Sequence, residues 1–156
     1  GNSRAASGAE HLIAHLVEMK PPRFENAHGI HGECVGVGTV LCAAEYRRMA
    51  RKTPKARPFE PLSGGWIREK FGYLAEGIIE ENKNDVLASF EPQNIVDNWQ
   101  AIRDIVSAIP PAEELAALFK DLGGKYRLPD IGIDEALEPE ILDISAAIRN
   151  RALIHI

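Results

Sequence analysis

The sequence has only two cysteines, Cys34 and Cys42, among its 156 residues. Their separation fits neither a C-x-x-C redox motif nor a pair of zinc-binding cysteines. We therefore predict two buried free thiols, which are typical of a protein in the reducing cytoplasm.

The sequence also lacks a long hydrophobic run and an excess of basic residues. Its longest mostly apolar stretch, Cys34 to Ala44, is far shorter than the roughly 20 residues that cross a bilayer. Asp and Glu together number 23, against 18 Lys and Arg, for a formal net charge of -5. Nucleic acids and membrane surfaces select basic patches, so we expect neither as a partner.

The first residues of the sequence do not predict a signal peptide. The segment Gly1 to Arg4 lacks the apolar core of a signal peptide, and glycine in place of methionine is typical of a processed or engineered start. The length suits one ordinary domain, residues 1–156. We expect the chain to begin within a longer gene product.

Hydrophobic spacing predicts helices throughout. The first predicted helix runs from Ser7 to Met19, with Ser7 as its N-cap and Glu10 as the capping-box partner, and it stops at Pro21 and Pro22. Thr53 to Gly65 is predicted to be a connector. The other predicted helices span Gly32 to Arg51, Trp66 to Glu81 with a break near Gly72, Pro92 to Ile109, Pro111 to Gly123, and Glu138 to Arg151.

No stretch alternates strictly enough for a β-strand, so the sequence predicts an all-α helical bundle. In the helix from Pro92, the predicted apolar stripe consists of Ile95, Trp99, Ile102, Ile105 and Val106.

Histidines provide the main chemical clue. Four of the five lie in the first 31 residues, at positions 11, 15, 28 and 31. His11 and His15 are four residues apart, so a helix projects both from one face, and a helical hairpin could bring His31 beside His11. Such pairs also arise by chance on ordinary surfaces, and His155 is most simply a solvent-exposed terminal residue.

A catalytic zinc or iron site ordinarily needs three protein ligands and one open position. Glu10 is better suited to capping, and Glu33 should point away from its neighbouring histidine. The residues therefore leave the third ligand unidentified. The pair is not H-E-x-x-H, so a metalloprotease lacks its general base.

Two segments of the sequence, which we call the histidine segments, resemble the metal-site segments of sn-glycerol-1-phosphate dehydrogenases. They are Ser7-Gly8-Ala9-Glu10-His11-Leu12-Ile13-Ala14-His15 and His31-Gly32-Glu33-Cys34-Val35-Gly36-Val37-Gly38-Thr39. These enzymes fall in the group that includes iron-containing alcohol dehydrogenases, glycerol dehydrogenase and 3-dehydroquinate synthase. Two later segments are more weakly similar to the closing helices of that family: Pro111-Ala112-Glu113-Glu114-Leu115 and Ile148-Arg149-Asn150-Arg151.

The resemblance implies a two-domain enzyme of which this chain is the helical, metal-binding C-terminal domain, without the N-terminal nucleotide-binding domain. By motif, His11 and His31 would be the metal ligands, and His15 a catalytic residue that orients substrate or relays a proton. The family's third ligand is an aspartate from the absent half.

The implied reaction is hydride transfer between NAD(P)H and dihydroxyacetone phosphate or a related polyol or ketone. It would be assisted by Zn²⁺, or by Fe²⁺ or Ni²⁺. NAD(P) would bind through the absent domain, so we expect this fragment alone to be inactive. We also expect a homo-oligomer, because an exposed former domain interface favours self-association.

The sequence leaves two alternatives open. One is a 3-dehydroquinate synthase-like lyase, which would share both histidine segments, and the other is a non-catalytic helical interaction domain.

Three features have simpler structural explanations. Gly32, Gly36 and Gly38 fall where another backbone or a ligand could approach a helix, and packing glycines are commoner than a phosphate-binding G-x-G. Trp66 and Trp99 are more typical of packing than of a stacking platform. A basic cluster, usually just a solvated helix end, could also meet a phosphate or a subunit: Arg47, Arg48, Arg51, Lys52, Lys55 and Arg57.

Overall fold

A computed structural model describes residues 8–58, 60–83, 89 and 91–148. Within these ranges the chain forms helices joined by turns and contains no β-strand, which confirms the all-α prediction. The α-helices are α1 Ala9–Met19, α2 His31–Ala50, α3 Gly64–Phe71, α4 Ala75–Asn82, α5 Gln93–Asp97, α6 Trp99–Ser107, α7 Ala112–Asp121 and α8 Glu138–Ala146. Short 3₁₀ helices cover Pro22–Phe24, Gly72–Leu74, Leu128–Ile131 and Glu135–Leu137.

Helices α1 and α2 form an antiparallel hairpin at the centre of the fold. Glu18, near the end of α1, contacts His31 at the start of α2, while Glu10, near the start of α1, lies against Gly38 further along α2. Helix α8 covers α1, and α6 and α7 pack against α2. The hairpin therefore determines which residues of the two histidine segments are in contact.

The core lies between α1, α2, α3 and α8. Its fully buried side chains recur at helical spacing along each helix, so one face of each is turned inward. They include Leu12, Ile13, Leu16, Val37, Phe71, Ile131, Ile141 and Ile144. Phe71 also packs edge-on against the partly buried ring of Trp66, with the centroids 6.4 Å apart. The packing role predicted for Trp66 is thus confirmed.

Two predicted helices are interrupted. The break near Gly72 is confirmed: its φ of 53° is in the left-handed region, which glycine adopts without strain. The single helix predicted over Pro92 to Ile109 is wrong, because α5 ends at Asp97 and α6 begins at Trp99. The intervening Asn98 turns its side-chain amide back to the carbonyl of Asn94, at 2.8 Å, and such a bond competes with helix continuation.

The apolar stripe predicted for α6 is wrong at one position. Trp99 and Val106 are buried, but Ile105 is 68% exposed. Trp99 and Val106 are seven residues apart and share a face, whereas Ile105 precedes Val106 by one residue, or about 100° around the helix. Contact with α2 thus covers a narrower stripe than the sequence predicts.

The first helix begins later than predicted, and the predicted end of the last helix is not described. Helix α1 begins at Ala9 with Gly8 as N-cap, one residue later than predicted, and Ser7 lies outside the described residues. The predicted extension of the last helix to Arg151 and the terminal His155 also fall outside them.

Across the part of the chain that is described, no helix is both long and apolar enough to span a bilayer.

Candidate metal centre

Three histidine rings meet where α1 and α2 come together. His11 and His15 lie on successive turns of α1, and His31 is the first residue of α2. The ring centroid of His31 is 5.7 Å from that of His11 and 5.9 Å from that of His15. The predicted meeting of His11 and His31 across a helical hairpin is confirmed.

The carboxylate of Glu18 joins two of these rings. Its Oε1 lies 2.6 Å from Nδ1 of His31, and its Oε2 lies 3.4 Å from Nδ1 of His15. Glu18 is one turn beyond His15, so α1 carries both groups on the side that faces the start of α2. A single side chain thereby restrains imidazoles from both arms of the hairpin.

His11 has a carboxylate partner of its own. Oε1 of Glu10 lies 3.1 Å from Nδ1 of His11 and also accepts a hydrogen bond from the backbone N–H of Gly8. Glu10 therefore acts as a local cap, as the sequence indicates, and in addition orients the adjacent ring.

These contacts favour one tautomer. An ionised carboxylate only accepts hydrogen bonds, so Nδ1 of His11 and of His31 must carry the proton that it donates. In the neutral ring the lone pair is then on Nε2, the form in which many histidines bind metals while a carboxylate holds the other nitrogen.

The electrostatics of Glu18 agree with this geometry. Its hydrogen bond with His31 is the largest influence on its pKa, which lies below the ordinary value, and partial burial opposes that shift. Glu18 is therefore ionised at neutral pH and able to accept from both rings.

The three rings are partly open to solvent, with side-chain exposures of 32% for His11, 29% for His15 and 48% for His31. A group from outside the described chain can thus reach them. Among the residues described here, no set of three or more His, Cys, Asp or Glu side chains is arranged to hold a metal ion by itself. The donor chemistry suits two ligands of an incomplete site.

Other residues considered from the sequence lie elsewhere. Oε2 of Glu33 accepts from the backbone N–H of Ile30, at 3.1 Å, and so caps the start of α2. The exposed His28 lies beside Gly132, and its backbone N–H donates to the carbonyl of Ile131. Neither residue takes part in the contacts that join the three histidines.

Both cysteines are buried free thiols, as predicted. Burial, aided by the nearby Glu10 and Glu45 carboxylates, raises the pKa of Cys42 to about 12. Burial, again with help from neighbouring carboxylates, also raises the pKa of Cys34. Neither thiol is available as a thiolate ligand near neutral pH.

Glu18 is the site residue that the sequence reasoning missed. Its signal was present, since Glu18 follows His15 at the i, i+3 spacing that places two side chains on one helix face.

Comparison with known proteins identifies relatives of the chain. It is 25% identical over 154 residues to the glycerol-1-phosphate dehydrogenase (NAD(P)+) of Halalkalibacterium halodurans, which matches 99% of this chain and 32% of that protein. The enzyme of the same name from Methanococcus aeolicus is 43% identical over 119 residues, covering 69% of this chain and 31% of that protein. The one from Geobacillus stearothermophilus is 26% identical over 137 residues, 88% of this chain and 28% of that protein.

The chain thus spans about a third of the length of the curated relatives it matches. No protein-family model and no solved structure matches it. The resemblance to glycerol-1-phosphate dehydrogenases, which we inferred from the two histidine segments, is confirmed, and it extends over nearly the whole chain.

Proposed function

We propose that this chain, a homologue of glycerol-1-phosphate dehydrogenases over about a third of their length, is the helical metal-binding domain of an NAD(P)-dependent oxidoreductase of that kind. The observation that carries the proposal is the meeting of His11 and His31 across the α1–α2 hairpin, with a carboxylate at Nδ1 of each ring.

His11 and His31 would hold the metal through Nε2. The third ligand would come from the part of the enzyme outside this chain, since the described residues contain no complete set of metal ligands. Zn²⁺ is the expected ion, with Fe²⁺ or Ni²⁺ accepted by the same donors. Bound there, it would polarise the carbonyl of dihydroxyacetone phosphate or a related ketone.

His15 would orient the substrate or relay a proton to the oxygen that becomes the alcohol. Its place one turn beyond His11, next to Glu18, keeps it beside the ligands without requiring it to be one. NAD(P)H, held by the part of the enzyme outside this chain, would supply the hydride. By itself, this chain would have the groups that position substrate but no electron donor, so the isolated chain should be inactive.

The relatives favour a dehydrogenase over a 3-dehydroquinate synthase-like lyase. The three relatives from Halalkalibacterium, Geobacillus and Methanococcus are all glycerol-1-phosphate dehydrogenases by name, although both enzyme types would share the two histidine segments. A phosphorylated triose is accordingly the substrate class that we propose for the complete enzyme.

Zinc affinity tests the proposed ligands. It should be measured by competition with a chromogenic chelator for the unchanged chain and for His11→Ala, His31→Ala and His28→Ala, with circular dichroism as a check on folding. Loss of either ligand should weaken binding at least about tenfold, whereas His28→Ala, which removes a histidine outside the cluster, should leave it unchanged. Unaltered affinity in both ligand variants would reject the site and favour an interaction domain that does not need the metal.

A further inference from the structure

The other end of α2 carries a basic pocket. Residues at the end of α2 and along α6 line an open pocket there, with a volume of about 170 Å³, larger than a single water molecule needs. Its lining contains three arginines and no acidic side chain: Arg47, Ala50, Arg51, Arg103, Val106 and Ser107.

The positive charge of this pocket is not paired with a carboxylate in the described part of the chain. Among the described residues, no carboxylate lies within ion-pair distance of the three arginines, whereas Arg48, in the same turn of α2, is paired with Glu45. Arg47 donates from Nη2 to the carbonyl of Ile109, at 2.8 Å, but its buried Nε has no acceptor within the described structure. The guanidinium groups thus retain unused hydrogen-bonding capacity.

We infer that this pocket binds a compact oxyanion of the phosphate class, either inorganic phosphate or the phosphoryl group of a small ester. Guanidinium groups match the oxygens of phosphate with paired N–H donors, and groups from two helices can contact different faces of one tetrahedral anion. The hydrogen bond from Arg47 to Ile109 fixes one guanidinium in advance, so less freedom is lost when an anion binds. Val106 and Ala50 exclude part of the solvent that would screen the charges.

This site is separate from the proposed metal centre. His31 and Arg47 are 16 residues apart on one continuous helix, or roughly 24 Å at about 1.5 Å per residue. A triose phosphate is too short to place its carbonyl at one and its phosphoryl group at the other. The pocket is therefore not the phosphate grip of the proposed substrate, and its occupancy does not depend on the proposed function.

Calorimetric titration of metal-free protein at low salt tests the inference, with inorganic phosphate and glycerol 2-phosphate as probes. The unchanged chain should bind one phosphate saturably. The double variant Arg51→Gln/Arg103→Gln should weaken binding at least about tenfold, as expected for the loss of charge-assisted hydrogen bonds. The matched control Arg68→Gln/Arg127→Gln removes the same charge from exposed arginines paired with Glu76 and Glu135, and should change affinity less than about twofold.

The absence of saturable binding, or equal weakening in both double variants, would overturn the inference. Tighter binding of the ester would identify a phosphorylated metabolite as the ligand, and equal or weaker binding would identify free phosphate. Binding that persists in His31→Ala would separate this pocket from the metal centre, while its loss would place the anion at the histidines and also overturn the inference.

Discussion

Gly38 of α2 lies directly against the main chain of Glu10 in α1. A β-carbon built on Gly38 would be 2.7 Å from the carbonyl oxygen of Glu10 and 3.1 Å from its Cα. Backbone atoms cannot move aside as the end of a flexible side chain can. This contact therefore sets how closely the two helices approach, and with it the separation of His11 and His31.

Gly38→Ala should force the hairpin apart and lower the free energy of unfolding by about 1–3 kcal/mol, the usual cost of overpacking a tight contact. Urea denaturation followed by circular dichroism would measure it. Gly77→Ala in α4 is the matched control, because nothing lies within 4 Å of its added carbon. That change should stabilise the protein by up to about 1 kcal/mol. Equal effects at the two positions would show that the close approach has no energetic consequence.

Glu18→Gln should lower zinc affinity by about 10- to 100-fold, the range seen when a partner that orients a metal-binding histidine is changed. The amide can still accept a hydrogen bond from His31, but it lacks the negative charge that makes the ring a stronger donor to metal. Competition with a chromogenic chelator would give the affinity. Glu25→Gln removes the same charge from an exposed carboxylate in the segment that connects α1 and α2, and should leave zinc binding intact.

His15→Ala should separate metal binding from catalysis. In a full-length enzyme carrying this domain, we expect nearly unchanged metal content and a fall in kcat of about 100-fold or more, as for the loss of a proton-transferring group. Elemental analysis and a coupled NAD(P)H assay on the same preparation would test it. Metal loss equal to that in His11→Ala would instead make His15 a ligand.

The pH dependence of stability should reveal the contacts of Glu140. Burial alone would raise the pKa of this carboxyl, but hydrogen bonds from Lys70, at 3.0 Å, and from Arg23, at 2.9 Å, outweigh burial and hold it below the ordinary 4.5. A lowered pKa in the folded state means that the stabilisation is fully present above pH 4.5 and is lost as the pH falls through the folded-state value.

Glu140→Gln should therefore lower the free energy of unfolding by about 1–2 kcal/mol at neutral pH, with the deficit shrinking as the pH falls below 4.5. Urea midpoints across that range would measure it. The control Glu76→Gln changes a carboxylate whose side chain is 76% exposed and paired with the exposed Arg68, and should show little difference at any pH. A constant deficit for Glu140→Gln would argue against an ionic origin.

Much of the helical framework could be predicted because its signals are local. Proline and glycine punctuate the chain where α1 ends and where α3 gives way to α4, and apolar spacing marks the buried faces. The break at Asn98 was missed because it depends on the competing hydrogen bond of one side-chain amide. The outward position of Ile105 was missed because helical spacing does not specify how wide a stripe the neighbouring helix covers.

The two histidine segments were enough to predict that His11 and His31 would meet, since the segment between two helices can bring the two arms of a hairpin together. The tertiary structure alone decided that Glu18 bridges His15 and His31, and that Arg103 of α6 joins Arg47 of α2 and the adjacent Arg51 around one pocket. Such arrangements depend on the distance and angle at which helices cross. Both are set by packing between residues far apart in the chain, such as Gly38 against Glu10, and not by the periodicity of any single segment.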